Sequence, residues 1–404
     1  GGSLEVGSAS TLRTPTIDLG AASPAGASLR IHGTTDAGIG QAALIAGSGG
    51  NPHQVTVLGS GSLWANTGTG ELGAGDDTLD VAGTLSTVDG AFNLGVGNDI
   101  FTIRDGANVI GTVDGGTGSN TLNTHIDGAA DLGASTNFQV LRKTGDGTLN
   151  INGPQTSIFD AVFLQAGTLL LRSQATIDPQ TTGIDAGATL TVEGNYHGTN
   201  GADTFTVAGS INGSGAITLL DGDDALTLRD GADLSGMTNP FDGGAHGTAD
   251  TIVLSNENAL ILDAARIVNF ENLQKLGIGV ATLTGTSTFD STSIEAGVLD
   301  VQGTLNSETI SLLDDAELNV NGTVKTLAGT PTQIDGSPGA NTVNVAKDGV
   351  LTATGDLGAG TDVLVVAGTL DLGSGALNLG DSDDIFIVHD LANVIGNVDG
   401  GDGI

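Results

Sequence analysis

GAGDDTLDVAGTL (73–85) returns as GAGTDVLVVAGTL (358–370), and the following LGVGNDIFTIRDGANVIGTVDGG (94–116) returns as LGDSDDIFIVHDLANVIGNVDGG (379–401). The offset is 285 residues throughout, and 29 of the 46 aligned positions from Gly73 to Gly118 are identical. A shorter beat runs inside each copy. Gly73, Gly95 and Gly116 each open a similar turn, as do Gly358, Gly380 and Gly401, in steps of 22 and 21 residues. A unit that short cannot bury an apolar face alone, so it must stack on its neighbours. The reading is an all-β fold: a right-handed parallel β-helix (β-solenoid) with 19–22 residues, three short strands and three turns per coil. At one strand spacing per coil, about 19 coils make a rod of about 90 Å.

The strands are legible as TLDV, IFTI, TFTV, ALTL, TIVL, VLVV, IFIV and TVNV, each behind a Gly/Asp/Asn turn. Period-two alternation sends Leu79 and Val81 inward, with Thr78 and Asp80 outward. The same register points Phe101, Ile103, Phe205, Val207, Leu226, Leu228, Phe386 and Val388 inward. Trp64 and Tyr196 read as core or turn-packing residues. Helical spacing is nearly absent; the segment 258–275 reads as an irregular loop followed by a strand.

Longer units are marked by matching openings, GSGGNPHQVTV (47–57), GTNGADTFTVAGS (198–210) and GSPGANTVNVAKD (336–348). Between them NFQVLRKTGDGTLNING (137–153) matches NFENLQKLGIGVATLTG (269–285) at an offset of 132. We read residues 1–404 as a single continuous solenoid, a fragment of a longer chain, with superunits at roughly 47–197, 198–335 and 336–404.

Composition narrows the function. The chain has 67 Gly, 8 Pro, no Cys, and a net charge of −36 with only 11 Lys and Arg. Collagen is excluded, since no Gly-X-Y period exists. Nucleic acid is not an expected partner, and an acidic surface resists anionic membranes. No apolar run has the roughly 18 residues that span a bilayer, so no membrane insertion of this segment is expected. A long chain without cysteine suits export through an oxidising compartment.

The Gly-x-Gly-x-Asp turns are the sharpest candidates for chemistry. Gly73, Gly75, Asp77 and Leu79, then Gly95, Gly97, Asp99 and Phe101, match the spacing of the calcium-binding nonapeptide, and Asp362 and Asp384 are their counterparts in the second copy. Gly116, Gly118 and Asn120 follow with Asn for Asp. Calcium sites of that kind need direct tandem half-coils, whereas these turns recur once per coil. The structural reading is preferred: Asp or Asn accepts hydrogen bonds from N–H groups of its own turn, and Gly supplies positive φ. Calcium stays open, because stacking brings Asp77 and Asp99 within one coil spacing, where like charges repel. The histidines (His32, His53, His125, His197, His246, His389) show no metal-ligand spacing. Arg104 and Arg229 occupy equivalent RDGA turns, with His389 at the position of Arg104 in the later copy. No coil stands out by a cluster of unusual residues, so no catalytic, cofactor-binding or metal-binding residue is assigned, no cofactor is expected, and the chain is not read as an enzyme.

KTGDGTLNING with the following LQAGTLLL resembles the autotransporter-associated β-strand repeat. Lys143, Gly145, Gly147, Thr148, Leu149 and Gly153 fit, then Ala166, Gly167, Thr168 and Leu169. The second copy is looser: Lys275, Gly277, Gly279 and Gly285 fit, but Val280 and Ala281 stand where Thr and Leu are expected. The resemblance covers two segments and implies the passenger of a Gram-negative type V secreted protein, exported through periplasm and outer membrane to the cell surface. It further implies an adhesin, of the kind that drives aggregation and biofilm or binds host surface or matrix molecules, or like molecules on neighbouring cells. The family motifs are structural and carry no functional residue. A stalk presenting another domain, or a polysaccharide-acting β-helix, are the other readings.

Overall fold

In the computed structural model the described residues are 3–403, without 9, 14–15, 19–26, 37–43, 47–50, 60, 65–69, 154 and 158. The chain is 58% strand and 1% helix, and its parallel coils stack into a β-solenoid of about 17 turns. Two compact units are distinguished: residues 1–199 with 209–217, and residues 200–208 with 218–404.

In the first unit the strands Thr78–Val81, Ile100–Arg104, Thr121–His125, Val140–Thr144 and Ala161–Leu164 pair in parallel, each with the next. Their register places Leu79, Phe101, Leu122, Leu141 and Val162 in one inward column. The coil that begins with Val140–Thr144 continues through Thr148–Ile151 and Gln155–Ser157, giving the expected three strands. In the second unit Thr204–Val207, Ala225–Arg229, Thr251–Ser255 and Asn272–Leu276 stack likewise, with Phe205, Leu226, Ile252 and Leu273 in a column. Aromatic rings reinforce that interior: Phe205 meets Phe241 edge-on at 5.0 Å between centroids. Each buried Leu, Ile or Phe contributes about 1.5–3 kcal/mol, and parallel pairing gives each strand's backbone its partners in the coils on either side.

Eight of the inward assignments hold: Leu79, Val81, Phe101, Ile103, Phe205, Val207, Leu226 and Leu228 are at most 1% exposed. Phe386 and Val388 differ. They continue the columns of Leu364 and Val366 by register, yet are 39% and 50% exposed. Their strand, Ile385–Val388, has a stacked neighbour on one side only among the described residues. Tyr196 is buried, and its hydroxyl is hydrogen-bonded to Thr182 Oγ1. The side chain of Trp64 and the opening at 47–50 lie outside the described residues.

Two expectations of regularity are corrected. Coil length varies more than 19–22 residues: Val280 pairs with Val298, a step of 18, and Ala225 with Thr251, a step of 26. The segment 258–275 is not an irregular loop. It holds the strand Leu260–Asp263, a single 3₁₀ turn Ala264–Arg266 and the short strand Ile267–Val268 before Asn272–Leu276 begins. Asp263 caps that turn by accepting from the Ala265 N–H at 3.0 Å.

The 21–22-residue beat has a steric cause. Gly73, Gly95 and Gly116 lie at φ of 96°, 111° and 76°. They also stack so closely that a Cβ at Gly95 would sit 1.8 Å from the Gly73 carbonyl oxygen, and one at Gly116 1.9 Å from that of Gly95. Only glycine satisfies both conditions.

Candidate functional site: the stacked aspartate turns

Each Gly-x-Gly-x-Asp turn ends on a residue whose side chain reaches the preceding coil. The His53 N–H donates to Asp77 Oδ1 at 2.5 Å, the Asp77 N–H to Asp99 Oδ1 at 2.7 Å, and the Asp99 N–H to Asn120 Oδ1 at 2.8 Å. Gln139 closes this first ladder by accepting from the Asn120 N–H. A second ladder runs Asp203, Asp224, Asp250 and Glu271, with donor–acceptor distances of 2.7, 2.7 and 2.8 Å. A third joins Asn341, Asp362 and Asp384 at 2.6 and 2.8 Å. The expectation that these aspartates cap their own turns is therefore corrected: they cap the turn one coil back. The reason is geometric. Stacked turns expose an unpaired N–H toward the next coil, and a carboxylate one strand spacing away is the nearest acceptor. Own-turn capping belongs to other aspartates, such as Asp114 with the Gly116 N–H at 2.9 Å and Asp356 with the Gly358 N–H at 2.8 Å.

Asp77, Asp99, Asp203, Asp224, Asp250 and Asp362 are buried, Glu271 and Asp384 half-buried, and Asp77, Asp99, Asp224, Asp250, Asp362 and Asp384 each retain a buried Oδ2 with no hydrogen-bond partner. Burial pushes the Asp77 carboxyl up to about 6; the His53 N–H opposes this and the Asp99 charge adds to it. Asp224 and Asp362 are likewise pushed to about 6, first by burial, against the N–H groups of Asp203 and Asn341. Burial also raises Asp99 and Asp250. The like-charge stacking foreseen between Asp77 and Asp99 is thus real, and proton uptake relieves it.

Two buried lysines were not foreseen. Lys143 and Lys275 are 0% exposed and point inward, following Leu141 and Leu273 in the alternation. Lys143 Nζ donates to the carbonyls of Thr144, Gly145 and Ala166 at 2.9, 2.7 and 3.1 Å. Lys275 Nζ donates to Leu276, Gly277 and Ala296 at 2.8, 2.6 and 3.2 Å. Three N–H donors meet three carbonyls, which is the full capacity of an ammonium. Burial pulls both down to about 8, against the nearby charges of Asp127 and Asp146 for Lys143 and of Glu257 for Lys275. This is why K-x-G-x-G recurs at an offset of 132: the lysine staples its own turn to the next coil. The signal lay in the alternation of VLRKT, overridden by the polarity of lysine.

Arg104 forms a bidentate pair with Asp80 at 2.7 and 2.8 Å, spanning adjacent coils. Five histidines lie beside a carboxylate. His32 faces Glu5, His53 faces Asp77, His125 faces Asp127, His197 faces Asp178 and His246 faces Glu271. Among the described residues only His246 gathers a second one. One ligand atom from each of His246, Asp250 and Glu271 lies within 4.8 Å of the others. The sequence clue was the long step from Asp224 to Asp250, 26 residues where its neighbours take 21. No protein-family model matches the chain, and neither a curated protein nor a solved structure is significantly similar to it.

Proposed function

We propose that the chain is a surface-displayed bacterial passenger of the autotransporter type that acts as an adhesin through the long polar flank of its solenoid. The observation behind this reading is the register of the outward positions. In the second unit Thr204, Ala225, Thr251, Asn272, Ser291 and Thr309 fall in one row, and Thr206, Thr227, Val253, Gln274, Ser293 and Ser311 in the next. Neighbours bond along these rows, as Ser291 Oγ does to Asn272 Oδ1 at 2.7 Å. Rows composed largely of hydroxyl and amide side chains, interrupted by Ala225 and Val253, repeat a weak binding patch from coil to coil, and weak patches on one scaffold sum by multivalency. A parallel solenoid in which the lysines of KTGDGTLNING (143–153) and of its looser copy KLGIGVATLTG (275–285) are both buried staples supports the passenger resemblance.

The net charge of −36 opposes close approach of two copies. Self-association should therefore strengthen between about 10 mM and 150 mM salt as the Debye length falls from about 30 to 8 Å. The test is aggregation of beads carrying the 404-residue chain across that salt range, with parallel binding to a panel of host matrix proteins. Salt-promoted clumping or saturable matrix binding is expected. Beads that stay dispersed at every salt concentration and bind no matrix protein would overturn the reading and favour a stalk.

A further inference from the structure

We propose that His246, Asp250 and Glu271 form a binding site for a divalent transition-metal ion of the zinc class. His246 Nδ1 lies 3.0 Å from Glu271 Oε2. Asp250 is 0% exposed and spends Oδ1 on the Asp224 N–H, while its Oδ2 is buried with no partner. Asp77, Asp99, Asp224, Asp362 and Asp384 have such an oxygen too, but among the described residues only Asp250 has both an imidazole and a second carboxylate close enough to share an ion with it. A tetrahedral ion bound at about 2.0–2.1 Å holds its ligand atoms roughly 3.3 Å apart. Separations of 3.0 Å and up to 4.8 Å bracket that value and close by small side-chain rotations.

The surrounding residues pre-position the cluster. The Asp250 N–H donates to Glu271 Oε2 at 2.8 Å, orienting that carboxylate. His246 rides on the long turn between Asp224 and Asp250. Asp223 Oδ1 holds that turn by accepting from the N–H groups of Gly247, Thr248 and Ala249 at 3.0, 2.5 and 3.2 Å. Such outer hydrogen bonds fix ligand geometry. An open groove of about 510 Å³, lined in part by Asp221, Asp223 and His246, leads to the imidazole and offers an entry path. One nitrogen and two carboxylates suit zinc or manganese; calcium prefers six to eight oxygens. Three protein ligands leave a position for water, and a dication balances two carboxylates that share a single imidazole.

The test is calorimetric titration of the tag-free 404-residue chain with zinc, manganese and calcium chlorides, with melting followed in parallel. Saturable zinc binding at one site is expected, tighter than calcium and raising the melting temperature. His246→Ala and Glu271→Gln should each weaken it by about ten-fold or more, while His197→Ala, which alters another histidine–carboxylate pair, leaves it unchanged. His246 is exposed, so its replacement leaves the core intact, and circular dichroism checks this. Cobalt absorption gives a second readout, with a d–d band present in the parent and lost in Glu271→Gln. Absence of saturable zinc binding, or parent-like binding by His246→Ala, overturns the site.

Discussion

The backbone N–H of Asp77 donates to Oδ1 of Asp99 at 2.7 Å, so the turn of one coil is closed by the side chain of the next. What the ladder requires at this position is an acceptor oxygen, not a charge. Asn120 already serves that purpose for the Asp99 N–H at 2.8 Å. Asp99→Asn should therefore keep or raise stability at pH 7, because it removes a buried carboxylate while preserving the acceptor. Asp99→Ala leaves the Asp77 N–H buried and unpaired, at a cost of about 1–3 kcal/mol. Urea melts of both variants check the order; equal losses would show that the charge itself matters.

The raised carboxyls set the pH dependence. Asp77, Asp224 and Asp362 are pushed up to about 6 when folded, against 3.8 for an unburied aspartate. Between those values the folded chain holds more protons than the unfolded chain, so stability is fully present below about pH 4 and is lost as pH rises through 6. The expected outcome is greater resistance to urea at pH 5 than at pH 7.5, by on the order of 1 kcal/mol per group. Asp77→Asn should flatten that slope. A chain that grows more stable from pH 5 to pH 7.5 would contradict the protonated ladder.

The lysine staple acts in the opposite pH range. Lys143 must be desolvated to reach the carbonyls of Thr144, Gly145 and Ala166, and its removal takes a charged donor from each, although the Thr144 carbonyl still accepts from the Ile126 N–H at 3.0 Å. Lys143→Ala should cost about 3–5 kcal/mol, as breaking a buried charged network does. With its folded pKa lowered to about 8 from 10.5, stability should rise from pH 8 toward pH 10 in the parent, and less so in the variant. Thermal melts across that range measure both effects.

Much of the fold was legible because its determinants are local. Alternation in TLDV and IFTI names the inward residues, and the glycine beat names the stacking period. The site was less legible, because its partners lie a full coil away. Asp77 looks like an ordinary turn aspartate until the His53 N–H, one coil back, is seen donating to it. Lys143 occupies an inward register position that hydropathy argues against. His246 meets Asp250 and Glu271 only because a longer turn displaces it, and no local spacing encodes that meeting. Length irregularity, the 26-residue step against neighbours of 21, was the available clue.

The glycine column separates two causes that a single substitution usually mixes. Gly106 has φ of 75° with nothing within 4 Å of an added Cβ, so Gly106→Ala meets backbone strain alone. That strain is about 1–2 kcal/mol for a left-handed residue. Gly95→Ala meets the same class of strain, at φ of 111°, and drives its Cβ to 1.8 Å from the Gly73 carbonyl oxygen. Relief demands that two coils part, which stretches the Asp77–Asp99 hydrogen bond next to it. Gly95→Ala should therefore destabilise by several kcal/mol more than Gly106→Ala, and should speed amide hydrogen exchange at Asp77 and Asp99. Equal melting points for the two variants would mean that neighbouring coils separate freely at the turns, and that the glycine beat reflects backbone conformation only.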